Sequence, residues 1–273
     1  MNMKFTLIGH PLGHSLSPVI HEKLFALDGV KAEYKLLDIP PEKLKDNIPA
    51  LNALDGYNVT IPHKINIIPF LGGLNEKSSL YGAVNCVNTS QNCGYNTDCT
   101  GFVQSVNMMG TNLSGNNLLL GCGGAGRMMA FETALSDGTL TVAVREQSLS
   151  KGETLKNDIR KTVPDADVHI VTFDEIQGKF DLCMNSTPVG MYPNIDHSLL
   201  SDDTLCNISY LFDAVYNPKE TLLMKRARSS GVKTMGGMAM LVLQAAASHE
   251  IWLNASYSPK QLSEIIRDME NYL

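Results

Sequence analysis

The stretch Leu118-Leu119-Leu120-Gly121-Cys122-Gly123-Gly124-Ala125-Gly126 decides the fold class of this chain. The three leucines predict a buried strand, and the glycines after them predict a tight turn into a helix. Glycines in such a turn let backbone N–H groups approach a pyrophosphate, which the positive end of the helix dipole then stabilises. This strand–turn–helix context favours a dinucleotide-binding site over a purely structural turn.

Strand and helix patterns alternate on both sides of the glycine loop. Beyond its own strand, further strands are predicted at residues 139–144, 167–172, 180–184 and 211–215. Helices between these strands imply a parallel, doubly wound sheet. Before the loop, strands are predicted at residues 5–9, 34–37 and 57–61, followed by a hairpin near residues 87–96.

Two predicted helices belong to the same domain although they lie far apart in the chain. Ser17-Pro18 predicts a helix with Ser17 as its N-cap and the proline in its first turn. Residues 238–253 are nearly all apolar, so we expect a buried helix that returns to pack on the N-terminal part. The sequence predicts an α/β protein of two domains with a deep cleft between them. One domain comprises residues 1–102 with 237–273, and the other comprises residues 103–236.

Composition excludes several classes of protein. The chain has 273 residues, 44% of them hydrophobic and 18% charged, which is typical of a globular protein with a sizeable core. A net charge of −6 argues against a nucleic-acid or anionic-membrane surface, and no apolar stretch is long enough to span a bilayer. The N-terminal apolar run is too short for a signal peptide. The six cysteines lack metal-ligand or C-x-x-C spacing, so we expect free thiols, no metal site and a cytoplasmic location.

Lys64 and Asp98 are the candidate catalytic pair. Lys64 follows a β-branched run that stops at Pro62, which places it at a strand end or in the loop beyond. Asp98 closes a loop before a predicted helix at residues 99–109. A lysine beside an aspartate can pass a proton to a carbonyl oxygen while hydride reaches the carbon. Without other evidence, an ordinary surface ion pair is the simpler interpretation.

The end of the second strand after the glycine loop bears on the cofactor. Arg145 favours NADP, because a guanidinium pairs with a 2′-phosphate. Glu146 favours NAD, because a carboxylate suits a free 2′-hydroxyl and repels phosphate. These two residues leave the choice between NADP and NAD open.

Over nearly its whole length the chain resembles the shikimate dehydrogenases, which are reversible 3-dehydroshikimate reductases. The joint order and spacing of several short motifs carry the resemblance. These motifs are residues 9–18 (GHPLGHSLSP), 58–64 (NVTIPHK), 82–85 (GAVN), 96–98 (NTD), the glycine loop, 185–191 (NSTPVGM), 213–216 (DAVY) and 237–244 (GMAMLVLQ). The resemblance implies an N-terminal substrate-binding and catalytic domain and a Rossmann-type NAD(P)-binding domain. It also implies NADPH-linked reduction of 3-dehydroshikimate to shikimate in chorismate and aromatic amino acid biosynthesis, by a monomer or homodimer.

This resemblance implies a role for each candidate residue. Lys64 is the implied general acid/base, with Asp98 positioning it. The implied substrate contacts are Ser15 and Ser17 for the carboxylate, Thr60, Asn85, Asp98 and Gln244 for the ring hydroxyls, and Tyr216 in the same pocket. The implied cofactor contacts are Gly121, Cys122, Gly123, Gly124, Ala125, Arg145, Ala214, Gly237 and Glu76. All seven histidines are interpreted as structural or surface residues.

Several alternatives stay open at this point. NADP-using members of the family generally carry Asn-Arg-Thr where this chain has Val144-Arg145-Glu146, so NAD use is more plausible here than in a typical member. Quinate/shikimate and aminoshikimate dehydrogenases share most of the motifs. A non-catalytic sensor of shikimate-like metabolites would not require the Lys64–Asp98 pair. A folate-linked methylene dehydrogenase would have no obvious use for the two serines or for Gln244.

Overall fold

The structure is a computed structural model that describes residues 2–13 and 15–272, so His14 lies outside the described residues. The chain divides into two compact units. The first comprises Met1–Gly101 with Leu241–Met269, and the second comprises Phe102–Met240 with Glu270–Leu273. The unit boundaries thus lie at residues 101/102 and 240/241, where the sequence predicts 102/103 and 236/237. The last helix ends in the second unit.

The first unit is built on a mixed six-stranded sheet. Its strands, in the order β2-β1-β3-β5-β6-β4, are parallel among the first three, whereas β3 with β5 and β5 with β6 are antiparallel. The predicted hairpin is confirmed as the β5–β6 pair. The strands are β1 (Met3–Gly9), β2 (Ala32–Asp38), β3 (Gly56–Val59), β4 (Gly73–Leu74), β5 (Cys86–Asn88) and β6 (Cys93–Tyr95). The helices are α1 (Ser17–Asp28), α2 (Leu44–Leu51), α3 (His63–Asn66), α4 (Glu76–Tyr81) and α5 (Asp98–Met108), the last of which continues into the second unit.

Most of the two C-terminal helices belongs to the first unit, and these are α10 (Met238–Leu253) and α11 (Pro259–Glu270). The return of α10 to the N-terminal sheet is confirmed by Trp252, whose ring stacks on Phe5 at 4.7 Å. Trp252 Nε1 also donates to the backbone oxygen of Val87 at 2.9 Å. A Cβ atom at Gly56 would lie 2.5 Å from that nitrogen, so the close approach requires glycine.

The second unit contains an all-parallel six-stranded sheet in the order β12-β11-β10-β7-β8-β9. Helices connect most of its strands, which confirms the predicted doubly wound architecture. The strands are β7 (Asn116–Leu120), β8 (Thr139–Val144), β9 (Val168–Thr172), β10 (Phe180–Asn185), β11 (Ile208–Asp213) and β12 (Lys233–Gly236). The helices are α6 (Gly124–Leu135), α7 (Leu149–Thr162), α8 (Asp202–Leu205) and α9 (Leu222–Ser229). The strand order reverses between β7 and β10, the place where such sheets bind ligands.

The start of α1 differs from the prediction. The N-cap is Leu16, and no side chain caps the start of the helix. Ser17 is instead the first helical residue. Ser15 Oγ instead accepts the Ser17 N–H at 3.2 Å, so the preceding serine satisfies that free donor. Pro18 lies in the first turn and Gly29 ends the helix with φ 65°, both as predicted.

No helix among the described residues is both long and apolar enough to cross a membrane. All six cysteines are free, as predicted.

Candidate active site

The carboxyl ends of β1 and β3 bring the first candidate residues to one sheet edge. The two strands are parallel neighbours, and the Thr60 N–H donates to the backbone oxygen of Ile8 at 2.8 Å. Ser15 and Ser17 follow β1, and Thr60 follows β3 directly. Ser15 and Thr60 are half-buried, and Ser17 is buried. The Thr60 hydroxyl is therefore placed at strand ends, where an α/β protein usually binds its ligand.

Lys64 lies in the short helix α3, immediately after this sheet edge. Its backbone oxygen accepts the Val84 N–H at 2.8 Å, which fixes α3 to the segment that leads into β5. Its Nζ donates to Asp98 Oδ2 at 2.6 Å. The lysine side chain is 29% exposed and that of Asp98 is 20% exposed, so water screens the pair less than an exposed one. The structure thus brings the predicted pair into direct contact.

Asn85 holds the other side of the Asp98 carboxylate. Its Oδ1 accepts the Thr97 N–H at 2.6 Å, and its Nδ2 donates to Asp98 Oδ1 at 2.9 Å. A backbone N–H only donates, so the orientation of the Asn85 amide is determined. The Thr97 hydroxyl lies 2.9 Å from the same Nδ2. Asn85 therefore positions Asp98 as well as facing the candidate substrate site.

Gln244 lies on α10 at the edge of this cluster and is 9% exposed. Its Nε2 donates to the backbone oxygen of Leu241 at 2.9 Å. Its Oε1 lies 3.4 Å from Asn85 Nδ2 and 3.5 Å from Thr97 Oγ1, which are long distances for hydrogen bonds. The first unit thus places Lys64, Asp98, Asn85 and Gln244 in one connected cluster. Sequence reasoning missed the role of Thr97, although it lies in the quoted motif at residues 96–98.

The glycine loop of the second unit has the predicted strand–turn–helix geometry. Gly121 adopts φ 93°, a conformation that favours glycine, and Gly123 is the N-cap of α6. A Cβ atom at Gly126 would lie 2.7 Å from the backbone oxygen of Gly121, so only glycine allows this tight turn. Open space lies above Gly123 and Gly124, and Ala125 is exposed. The helix start is accessible, and its residues fit a bound pyrophosphate.

Arg145 and Glu146 follow β8, the strand next to the glycine-loop strand. Both side chains are exposed. Arg127 of α6 is already engaged, because its guanidinium donates to Asp158 at 2.8 Å and lies 5.0 Å from the Phe131 ring centroid. Of the two arginines, Arg145 is the more exposed.

A buried carboxylate organises the ends of β10 and β11. Asp213 is fully buried and accepts hydrogen bonds from Asn185 Nδ2 at 2.9 Å, Thr221 Oγ1 at 2.7 Å and the Val215 N–H at 3.1 Å. Burial raises the pKa of Asp213, and the three donors partly offset that rise. Sequence reasoning missed this structural role, although a polar residue at the end of an apolar strand was a usable signal.

Of the remaining cofactor candidates, Ala214 and Gly237 lie near this buried carboxylate, whereas Cys122 and Glu76 lie elsewhere. The Ala214 N–H donates to the backbone oxygen of Asn185 at 2.9 Å. The Gly237 N–H donates to the backbone oxygen of Val215 at 3.0 Å, and a Cβ atom at Gly237 would lie 2.2 Å from the Ala214 oxygen. Tyr216 follows on the same loop, half-buried. Cys122 is buried in the glycine loop. Glu76 belongs to the first unit, exposed in the first turn of α4.

The described residues contain no group of three or more His, Cys, Asp and Glu side chains that could hold a metal. Two of the described histidines make contacts that suit structural or surface roles. His63 is fully buried, with Nε2 2.6 Å from the backbone oxygen of Ile39. His10 pairs with Asp38 at 2.6 Å on the surface.

Known proteins resemble this chain over its whole length. Residues 7–87 match the family model of the shikimate dehydrogenase substrate binding domain. A shikimate dehydrogenase (NADP(+)) from Caldanaerobacter subterraneus is 34% identical over 96% of this chain and 96% of its own. A crystal structure of shikimate dehydrogenase in complex with NADP+ has a TM-score of 0.91 and 34% identity, covering 98% of this chain and 96% of its own.

A further solved structure bears on the nucleotide. A shikimate 5-dehydrogenase from Listeria monocytogenes in complex with shikimate and NAD has a TM-score of 0.87 and 28% identity. It covers 97% of this chain and 96% of its own. With relatives at this identity over nearly the full length, the chain belongs to the shikimate dehydrogenase family.

Proposed function

We propose that this protein is an NADP-dependent shikimate dehydrogenase, which reversibly reduces 3-dehydroshikimate to shikimate in aromatic amino acid biosynthesis. The observation that carries the proposal is the Lys64–Asp98 contact of 2.6 Å, held by Asn85. Substrate binding alone does not require a lysine held in this way, whereas proton transfer does. The contact therefore supports an enzyme over a metabolite sensor.

Lys64 acts as the general acid in the direction of reduction. Its ammonium group donates a proton to the carbonyl oxygen of the substrate, the carbonyl carbon accepts hydride, and the product is the alcohol. Bound NADPH supplies that hydride. Asp98 orients the ammonium group through their 2.6 Å contact, and Lys64 recovers its proton from solvent. In the reverse direction the neutral amine accepts the hydroxyl proton.

The substrate contacts are the hydroxyl and amide groups around this pair. Ser15 and Ser17 bind the carboxylate, and Thr60 and Gln244 bind ring hydroxyls. Asn85 and Asp98 are further contacts of the ring hydroxyls, and Tyr216 is a further substrate contact. Neutral donors and acceptors of this kind suit a small polyol acid.

The glycine loop, from Gly121 to Ala125, holds the pyrophosphate of NADP, and Arg145 holds the 2′-phosphate. Ala214, Gly237 and Glu76 are further cofactor contacts. The exposed Arg145 and the names of the NADP(+) relatives support NADP. Glu146 beside it favours NAD, and the Listeria relative was crystallised with NAD. We therefore assign NADP as the main cofactor and NAD as an alternative.

Reduction of NADP or NAD by the purified protein, followed at 340 nm with shikimate, quinate and aminoshikimate, tests this function. We expect the highest kcat/KM with shikimate and NADP. A clear preference for NAD or for quinate would replace the assignment by the corresponding alternative. Shikimate binding without turnover of either nucleotide would identify a sensor and defeat the enzyme assignment.

The proposal also covers the cellular compartment, the partner and the oligomeric state of the protein. The six unpaired cysteines support a reducing compartment such as the cytoplasm. The partner is a small molecule, and the protein is a monomer or homodimer. Fractionation with a cytoplasmic marker and light scattering test these two statements.

A further inference from the structure

A buried hydrogen-bond chain connects helix α10 with the candidate substrate site of the first unit. Tyr34 Oη donates to Asn58 Oδ1 at 2.8 Å, and Asn58 Nδ2 donates to Ser248 Oγ at 3.0 Å. The same Nδ2 donates to the backbone oxygen of Asn85 at 3.1 Å. Ser248 Oγ donates to the backbone oxygen of Gln244 at 3.1 Å. Asn85 and Gln244, which are both proposed to contact the substrate, are thus joined through other side chains. These are Asn58 and Ser248, which are not proposed substrate contacts.

The donors and acceptors of this chain have one consistent arrangement. A backbone oxygen only accepts, so the Asn58 amide must turn its nitrogen toward Asn85, and both of its hydrogens are used. The shorter of the two contacts open to the Ser248 hydrogen is that to the Gln244 oxygen, at 3.1 Å, and this bond leaves an oxygen lone pair to accept from Asn58. Ser248 is fully buried and Asn58 is 4% exposed. The Asn58 amide cannot turn without leaving a buried polar atom unpaired, whereas the Ser248 hydroxyl has a further neighbour, Thr97 Oγ1 at 3.4 Å.

The Gln244 amide is held within α10 through its nitrogen, which donates to the backbone oxygen of Leu241 at 2.9 Å, and is held loosely only at its oxygen. The amide oxygen has only the two long contacts, 3.4 Å to Asn85 and 3.5 Å to Thr97. The position of that amide is therefore set mainly by the backbone of α10, where Ser248 lies one turn further on. The Lys64–Asp98 pair, in contrast, is fixed by the side chain of Asn85 itself.

We propose that Ser248 is a positioning residue, which holds the Gln244 backbone at a fixed distance from Asn85 so that the Gln244 amide meets a ring hydroxyl of the substrate. The inference rests on the proposed function and adds a residue to its substrate site. Ser248 does not touch the reacting atoms. Its effect appears in substrate affinity, because Gln244 contacts the substrate equally in the ground state and the transition state.

Ser248→Ala tests this role through the split between KM and kcat. We expect the KM for shikimate to rise about three- to tenfold, the effect of one neutral hydrogen bond, while kcat stays within about twofold. In a Gln244→Ala background, Ser248→Ala should raise KM by less than about twofold, because the group that it positions is already absent.

Ser78→Ala is the matched control. Ser78 is also fully buried, and its hydroxyl lies at hydrogen-bond distance from two backbone oxygens, 2.8 Å from that of Gly94 and 3.0 Å from that of Asn75. It lies outside the chain that leads to Gln244. We expect a comparable fall in melting temperature with an unchanged KM for shikimate.

Tyr34→Phe loosens Asn58 from the other end of the chain, and serves if Ser248→Ala does not fold. We expect a smaller rise in KM, about twofold to threefold, that again disappears in the Gln244→Ala background. An unchanged KM in a folded variant overturns the proposal. The proposal also fails if the variant raises KM by the same factor in the Gln244→Ala background as in the wild type. A wild-type protein without shikimate oxidation overturns the proposed function instead, and shikimate affinities from calorimetry then replace KM in the same comparison.

Discussion

Asn85 Nδ2 donates to Asp98 Oδ1 at 2.9 Å, on the carboxylate oxygen opposite the one that accepts from Lys64 at 2.6 Å. Both oxygens of Asp98 are thus held by fixed donors. An exposed ion pair contributes little free energy, because ordering its side chains costs entropy and water screens its charges. The buried Asn85 amide reduces both effects for this pair. The lysine side chain is therefore oriented, as the proposed proton transfer requires.

Replacement of the lysine tests its role in chemistry. Lys64→Ala should lower kcat about 10²- to 10⁴-fold, the usual contribution of a general acid–base group. Shikimate binding, measured by calorimetry, should stay within several-fold. Lys45→Ala, at an exposed lysine of α2, is the control and should leave both quantities unchanged. Wild-type kcat in Lys64→Ala would exclude the lysine as the proton donor.

Nucleotide preference should follow the charges after β8. Arg145→Ala should lower the ratio of kcat/KM for NADPH to that for NADH about tenfold or more, because a charged hydrogen bond to phosphate is lost. Glu146→Thr should raise the same ratio by removing repulsion of the phosphate. Arg160→Ala, at another exposed arginine, is the control. An unchanged ratio in Arg145→Ala would contradict the assignment of the 2′-phosphate to this residue.

A buried histidine pair should make stability depend on pH. His249 Nδ1 lies 2.6 Å from Asp28 Oδ2, and His249 Nε2 lies 2.9 Å from His21 Nδ1. Burial lowers the pKa of both histidines, although Asp28 raises that of His249 in part. Among the described residues, His21 Nε2 has no hydrogen-bond partner at bonding distance. Both rings are therefore neutral in the folded protein at pH 7.

The sign follows from proton uptake. Around and below pH 6.5 the unfolded chain binds more protons at these histidines than the folded protein does, so the free energy of unfolding falls as pH falls from 7 toward 5. The raised pKa of Asp213 has the opposite effect on the unfolding free energy at lower pH. The slope of unfolding free energy against pH must therefore be compared between wild type and histidine variants. His249→Phe should flatten the slope of unfolding free energy against pH, whereas exposed His169→Gln should not. Equal slopes in wild type and His249→Phe would refute this account.

Asp213 should matter for stability more than for chemistry. Asp213→Ala removes the acceptor of three hydrogen bonds in a fully buried site, and should cost about 2–4 kcal/mol of unfolding free energy. Chemical denaturation measures this cost. Asp181→Ala, which removes an exposed carboxylate bound to the Asn116 N–H, should cost less than about 1 kcal/mol. Similar costs for the two variants would show that Asp213 does not organise these loops.

Local patterns predicted the elements where the signal is local. The bounds predicted for β8 and α10 agree with Thr139–Val144 and Met238–Leu253, because apolar periodicity defines them. The four-residue strand β12 was missed, since Lys233–Gly236 is short and flanked by glycine. The mixed order of the first sheet was also missed, because strand direction depends on partners and not on the strand's own residues.

The sequence by itself determined the α/β class, the glycine turn into α6 and the identity of the candidate residues, because periodicity, turn chemistry and motifs depend on near neighbours. Only the tertiary structure decided that Asn85 holds Asp98 and that Ser248 links Asn58 to Gln244. Asn58 and Ser248 are 190 positions apart in the chain. Their hydrogen bond exists because α10 returns to the first sheet, and such directional contacts between distant segments leave no local pattern.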